Sequence, residues 1–88
     1  MQYEWDSAKN RANLAKHGVD FADAVAVFED ELALTRPDTE ARGESRFVIL
    51  GMDGFGRYLV VVFAERSARI RIISARPATA QERKSYEG

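Results

Sequence analysis

Apolar positions recur at two different periods along the chain, and the change of period divides it. Trp5, Ala8, Ala12 and Ala15 recur at helical spacing and predict a helix over 6–17. Asp6 stands where an N-cap belongs, and Gly18 directly after His17 is a stop signal. A second helix is predicted over about 21–29, where Phe21, Ala24, Val25 and Phe28 form an i, i+3, i+4, i+7 stripe. Asp20 is its N-cap, Asp23 sits at N3, and Val19 is placed to staple onto Ala24.

Beyond this point the period drops to two. Leu32 to Thr35 reads as a short strand ending before Pro37, and residues 37–45 (PDTEARGES) read as a polar loop with Arg42 exposed. Arg46 to Leu50 is a strand, followed by the hairpin signal Asp53–Gly54. Arg57 to Ala64 is the most apolar segment and reads as the central strand, closed by a turn at ERSA. In Arg69 to Ala75, Arg69 and Arg71 alternate with Ile70 and Ile72, giving one polar and one buried face. The alternation slips at Ile73, which predicts a bulge that decides where Arg76 points. Thr79 and Glu82 form a capping box for a last helix over 80–87. The expected fold class is α+β: one domain over 1–88, a small antiparallel four-stranded meander with two N-terminal helices and one C-terminal helix, in the order ααββββα.

Composition narrows the chemistry. At 88 residues, 45% apolar and 31% charged, the balance is that of an ordinary globular domain. A chain this short leaves little room for a deep enclosed cavity. No apolar run is long enough for a membrane span, and MQYEWDSAKN has no secretory pattern, so no membrane partner is expected. With no cysteine there is neither a disulfide nor a thiolate site, which suits a cytoplasmic protein. One histidine excludes a multi-histidine metal centre, and no phosphate-binding glycine motif follows a strand. No cofactor and no metal are therefore expected.

The net charge of −1 conceals an asymmetry, −5 over residues 1–40 and +4 over 41–88. Ten of the thirteen cations are arginine, the residue suited to bidentate phosphate recognition. Arg46, Arg66, Arg69, Arg71 and Arg76 are far apart in sequence but converge if the meander forms, because neighbouring strands lie about 4.8 Å apart. Glu44, Glu65 and Glu82 are the acids able to pair with them. On the first helix Lys9, Asn13 and Lys16 share a face flanked by His17, whose place at the C-terminal end of the dipole favours the imidazolium. Trp5, Tyr58 and Phe63 are expected in the core.

EWD at 4–6, Lys9, Asn13, KHGVDF at 16–21, AxxVFED at 24–30, ESR at 44–46, GR at 56–57 and RIRIISARPATAQERKSYE at 69–87 together resemble the BrnT family, the toxin halves of bacterial type II toxin–antitoxin systems. The resemblance implies a RelE-like ribonuclease fold, growth arrest by RNA cleavage, and neutralisation by a ribbon–helix–helix antitoxin. Many members carry a histidine in the loop before the ExR element. Here that loop is PDTEARGESR, which leaves His17 as the one imidazole.

Metal-free RNA cleavage needs a base near the ribose 2′-oxygen, an acid near the leaving 5′-oxygen and cations around the phosphorus. The expected catalytic set is Lys9, Lys16, His17, Arg46, Arg66 and Arg76, with Asn13, Glu44, Arg69 and Arg71 binding substrate. The expected assembly is two toxins on an antitoxin dimer, with operator DNA reached only through the antitoxin. The alternative reading is a non-catalytic module that acts as co-repressor with its antitoxin.

Overall fold

Asp6 opens the first helix as the pattern predicts. In the computed structural model, which describes residues 1–40 and 43–88, its carboxylate accepts from the backbone N–H of Ala8 at 2.8 Å and Lys9 at 3.1 Å. Helix α1 spans Ser7–His17 and stops at Gly18, whose φ of 71° a glycine adopts without a Cβ penalty. Its predicted stripe is not its buried face. Ala8, Ala12 and Ala15 are exposed, and the helix lies on the body through Asn10, Asn13 and His17.

The second predicted helix is a correction. Only Phe21–Ala24 (α2) is α-helical, and Val25–Glu29 continues as a 3₁₀ turn. Phe21, Ala24 and Val27 are fully buried at a spacing of three, the 3₁₀ period, while Val25 and Phe28 are half-buried. Consecutive Val25, Ala26, Val27 and Phe28 weaken the case for a wider helix, because β-branched and aromatic side chains lose rotamer freedom there.

The larger correction concerns the sheet, which has five strands and is mixed rather than a four-stranded antiparallel meander. Its order is β1-β5-β4-β3-β2, with β1 at Gln2–Glu4, β2 at Leu34–Pro37, β3 at Arg46–Met52, β4 at Tyr58–Arg66 and β5 at Arg69–Pro77. The last four strands are joined antiparallel, but β1 precedes the helices and pairs parallel with β5, Tyr3 opposite Ile70. Three residues are too few to show an alternation in sequence, so this strand exists because tertiary pairing supplies its partner. Strand β2 runs through Pro37, tolerated because this is the sheet edge. Within the predicted loop, Ala41 and Arg42 lie outside the described residues. Helix α3 spans Ala80–Glu87 with the full capping box between Thr79 and Glu82.

One face of the sheet carries the main core. Leu59, Val61, Phe63, Ile70, Ile72 and Ala75 pack under Val19, Phe21, Ala24 and Val27, with Trp5 and Phe28 at its border. The other face carries a smaller cluster, Val48, Leu50 and Val60, partly covered by Tyr86 of α3. The bulge at Ile73 interrupts the register between Val62 and Phe63. It sends Ala75 into the core and turns Arg76 to the opposite face, with Arg69 and Arg71. No helix among the described residues is long and apolar enough to cross a membrane.

Candidate functional site

The register arranges the face away from the main core in rows. Leu34, Leu50, Val60 and Arg76 stand opposite one another across β2 to β5, and Arg36, Val48, Val62 and Ser74 form the next row. Arg46, Ala64 and Arg71 follow, then Arg66 opposite Arg69. Five of the predicted site arginines thus share one face, in two groups at opposite ends of it.

Arg46 and Arg66 meet at Glu44. Arg66 Nε donates to Glu44 Oε2 at 2.8 Å, and Arg46 Nε lies 3.6 Å from Glu44 Oε1. That Arg46 Nε is buried yet makes no hydrogen bond among the described residues. The hydrogen bond from Arg66 holds the Glu44 carboxyl below the usual glutamate range, so it is ionised at neutral pH. A shallow cavity of about 300 Å³ opens beside this group, lined by Pro37, Asp38, Gly43, Glu44, Ser45, Arg46 and Phe47. On the neighbouring strands, Arg71 donates to Glu4 at 3.0 Å and Arg69 lies 3.5 Å from the same carboxylate.

At the other end Arg76 is held by α3. Its two terminal nitrogens donate to the two Glu82 oxygens at 2.8 and 2.9 Å, a bidentate pair. Arg76 lowers the Glu82 carboxyl to about 2, and Glu82 in turn raises the Arg76 guanidinium. The far end of α3 is tied down as well. Tyr86 donates to Asp30 at 2.7 Å, which pushes the phenol up to about 12, and Tyr58 donates to Glu87 at 3.2 Å.

The four predicted residues of α1 do not join these groups. Lys9 and Lys16 are exposed, and His17 is half-buried where the chain turns into the main core at Val19. The cation beside that helix end is Arg57, which donates to the Gly18 carbonyl at 3.3 Å and pairs with buried Asp53 at 2.8 Å. Asn13 is buried. Its amide donates to the carbonyls of Val19 at 3.0 Å and Ala75 at 2.8 Å, and its oxygen accepts from Ala75 N–H at 3.2 Å. Those bonds leave its side chain bound to the fold.

Sequence reasoning did not foresee Glu4 as a counter-charge, Arg36, or the Asp30–Tyr86 tie. Glu4 had no signal, since its role depends on β1. Asp30 was legible only as an acid after an apolar stripe. Tyr58 and Trp5, expected in the core, are half-buried, Tyr58 against Tyr86 and Trp5 against Phe21.

Comparison with known proteins bears on the fold and the family. A search of the curated proteins finds no match. Among solved structures the fold is similar to the crystal structure of the Brucella abortus ribonuclease toxin BrnT, with a TM-score of 0.71 and 26% identity, covering 90% of this chain and 99% of that one. The family model described as the ribonuclease toxin BrnT of type II toxin–antitoxin systems matches residues 5–82. That match takes in α1, the whole antiparallel part of the sheet and the Arg76–Glu82 pair, and the chain belongs to the BrnT family of ribonuclease toxins.

Proposed function

We propose that this toxin cleaves RNA without a metal ion at the arginine-bearing face of the sheet, and that it arrests growth when its antitoxin is missing. The observation that carries the reading is Glu44 held between Arg46 and Arg66 at the mouth of an open cavity. In this chemistry the ribose 2′-oxygen attacks the adjacent phosphorus and gives up its proton to a base. The bond from phosphorus to the 5′-oxygen breaks, leaving a 2′,3′-cyclic phosphate and a 5′-hydroxyl protonated by solvent. Glu44, ionised at neutral pH, is the base. Arg46 and Arg66 stabilise the charge that grows on the phosphoryl oxygens, the role a metal ion otherwise takes. Arg69, Arg71 and Arg76 guide the flanking backbone phosphates, and Lys9, Lys16 and His17 act at most on RNA beyond the reacting phosphate.

The partner is a ribbon–helix–helix antitoxin, two toxins seated on its dimer. Operator DNA is bound through that partner, because a net charge of −1 gives the toxin little pull on DNA.

Cleavage of a synthetic RNA by the purified chain tests this. Activity is expected to persist in EDTA, to yield cyclic-phosphate ends, and to fall by about 10²–10³-fold in Arg46→Ala or Arg66→Ala. Activity that disappears with chelator and returns with magnesium overturns the mechanism. Loss in His17→Ala with both arginine variants active moves the reacting phosphate to α1. A chain that binds its antitoxin and never cleaves RNA is the co-repressor module instead.

A further inference from the structure

A second open feature on the arginine face lies away from Glu44, between β2 and α3. It is a groove of about 280 Å³ lined by Leu34, Thr35, Arg36, Val48, Leu50, Val60, Glu82 and Ser85. Its floor is aliphatic. Its outer rim is Leu34, 47% exposed, and two residues upstream Leu32 is 70% exposed. Helix α3 has no buried residue and covers only part of this face. The Glu82–Arg76 and Tyr86–Asp30 contacts fix it at both ends, so the groove stands preformed.

Charge distinguishes the two walls. On the α3 side Glu82 and Arg76 neutralise each other. On the β2 side Arg36 donates only to the carbonyl of Pro37 and has no carboxylate within ion-pair distance among the described residues. Strands β2 and β5 are three strand spacings apart, about 14 Å, and Arg36 and Arg76 stand in different rows, so their backbones are farther apart still and Glu82 cannot serve both.

We infer that this groove seats the neutralising segment of the antitoxin, a peptide that places an aliphatic side chain on Leu34, Leu50 and Val60 and a neighbouring Asp or Glu on Arg36. The inference rests on the toxin–antitoxin reading above. An RNA occupant is disfavoured because bases stack on aromatic rings and this floor has none. A second copy of the chain is disfavoured because a two-fold contact would set the groove against its own copy, whose lining carboxylate, Glu82, is already paired with Arg76 and offers Arg36 no free counter-charge. An exposed aliphatic patch beside an unbalanced cation is the surface an acidic, amphipathic peptide fits.

Leu34→Glu and Arg36→Glu test it, each on an exposed edge strand and outside the cleavage machinery proposed here. The probe is the cognate ribbon–helix–helix antitoxin proposed above, co-expressed and then titrated against purified toxin. Both variants are expected to weaken the complex by about 30- to 100-fold, the range of a buried anchor, with RNA cleavage by the free toxin unchanged. Raising salt should reduce the affinity of the parent more than that of Arg36→Glu. If Leu34→Glu does not fold, as judged by circular dichroism, Arg36→Glu alone decides. Parent-like affinity in the folded variants overturns the inference, and so does lost cleavage with antitoxin binding retained, which gives the groove to RNA. Parent toxin that fails to bind the antitoxin at all overturns the toxin–antitoxin reading itself.

Discussion

At Asn13 one carboxamide takes the place of a strand. Strand β1 pairs with β5 only over Arg69 to Arg71, so the outer edge of β5 near Ala75 has no strand beside it. The Asn13 side chain offers that edge a donor and an acceptor in peptide-like geometry. Asn13→Ala strands the polar groups of Ala75 and one bond to Val19, and should cost about 3 kcal/mol of stability by urea denaturation. Asn10, one turn earlier, binds Asp20 and the Phe21 N–H in the same way. Two asparagines inside a helix were a legible warning, because their short side chains compete with helical backbone bonds and favour caps and turns. Their partners were not legible, since Ala75 is 62 residues away. Glu82 carries a pH signature. Its carboxyl is held at about 2 in the folded chain and near 4.3 when unfolded, so its stabilisation is complete above about pH 5 and lost as pH falls toward 2. Glu82→Gln keeps a residue suited to the capping box and loses the charge. It should be less stable than the parent at pH 7 and approach it near pH 2, in melts taken across that range. Glu4 and Glu44, also held low by arginines, leave some pH dependence in the variant.

Among the elements, those set by local chemistry were legible. The cap at Asp6, the stop at Gly18, the Thr79–Glu82 box and the hairpin at Asp53–Gly54 each depend on residues within one turn of each other. The bulge at Ile73 was also readable, because a slip in a period-two pattern flips every later side chain. The 3₁₀ turn was not, since burial at a spacing of three is decided by the sheet beneath it. The β4–β5 hairpin turns through Ser67 and Ala68, with φ of 49° and 65°. Such two-residue turns favour Asn-Gly, because a side chain with a Cβ costs energy at positive φ. A Ser67→Asn/Ala68→Gly variant should gain about 0.5–1 kcal/mol, a rise in Tm of several degrees by calorimetry. An unchanged Tm would mean that the added freedom of glycine in the unfolded chain cancels the relief.

For the whole molecule the decisive event is which face of the sheet each group joins. The core side is bound together by an aromatic string, Tyr3 to Phe28 at 5.3 Å, Phe28 to Phe63 at 4.9 Å and Phe63 to Phe47 at 5.6 Å. It links β1, the 3₁₀ turn, β4 and β3. Phe28→Ala should cost about 3 kcal/mol by chemical denaturation, a large share of the stability of so small a domain. An unchanged midpoint would show that the turn does not brace the core. Local patterning along the chain sufficed for the α+β class, for strands β2 to β5 as separate elements, for helices α1 and α3 and for the arginines of the outer face, because periodicity and capping act over a few residues. That β1 exists as a fifth, parallel strand in a mixed sheet, that Asn13 is a structural pin, and that Lys9, Lys16 and His17 stand apart from Arg46, Arg66 and Arg76 emerged from long-range packing. A short parallel strand and the side on which a helix lies depend on partners 60 or more positions away, and no local pattern records them.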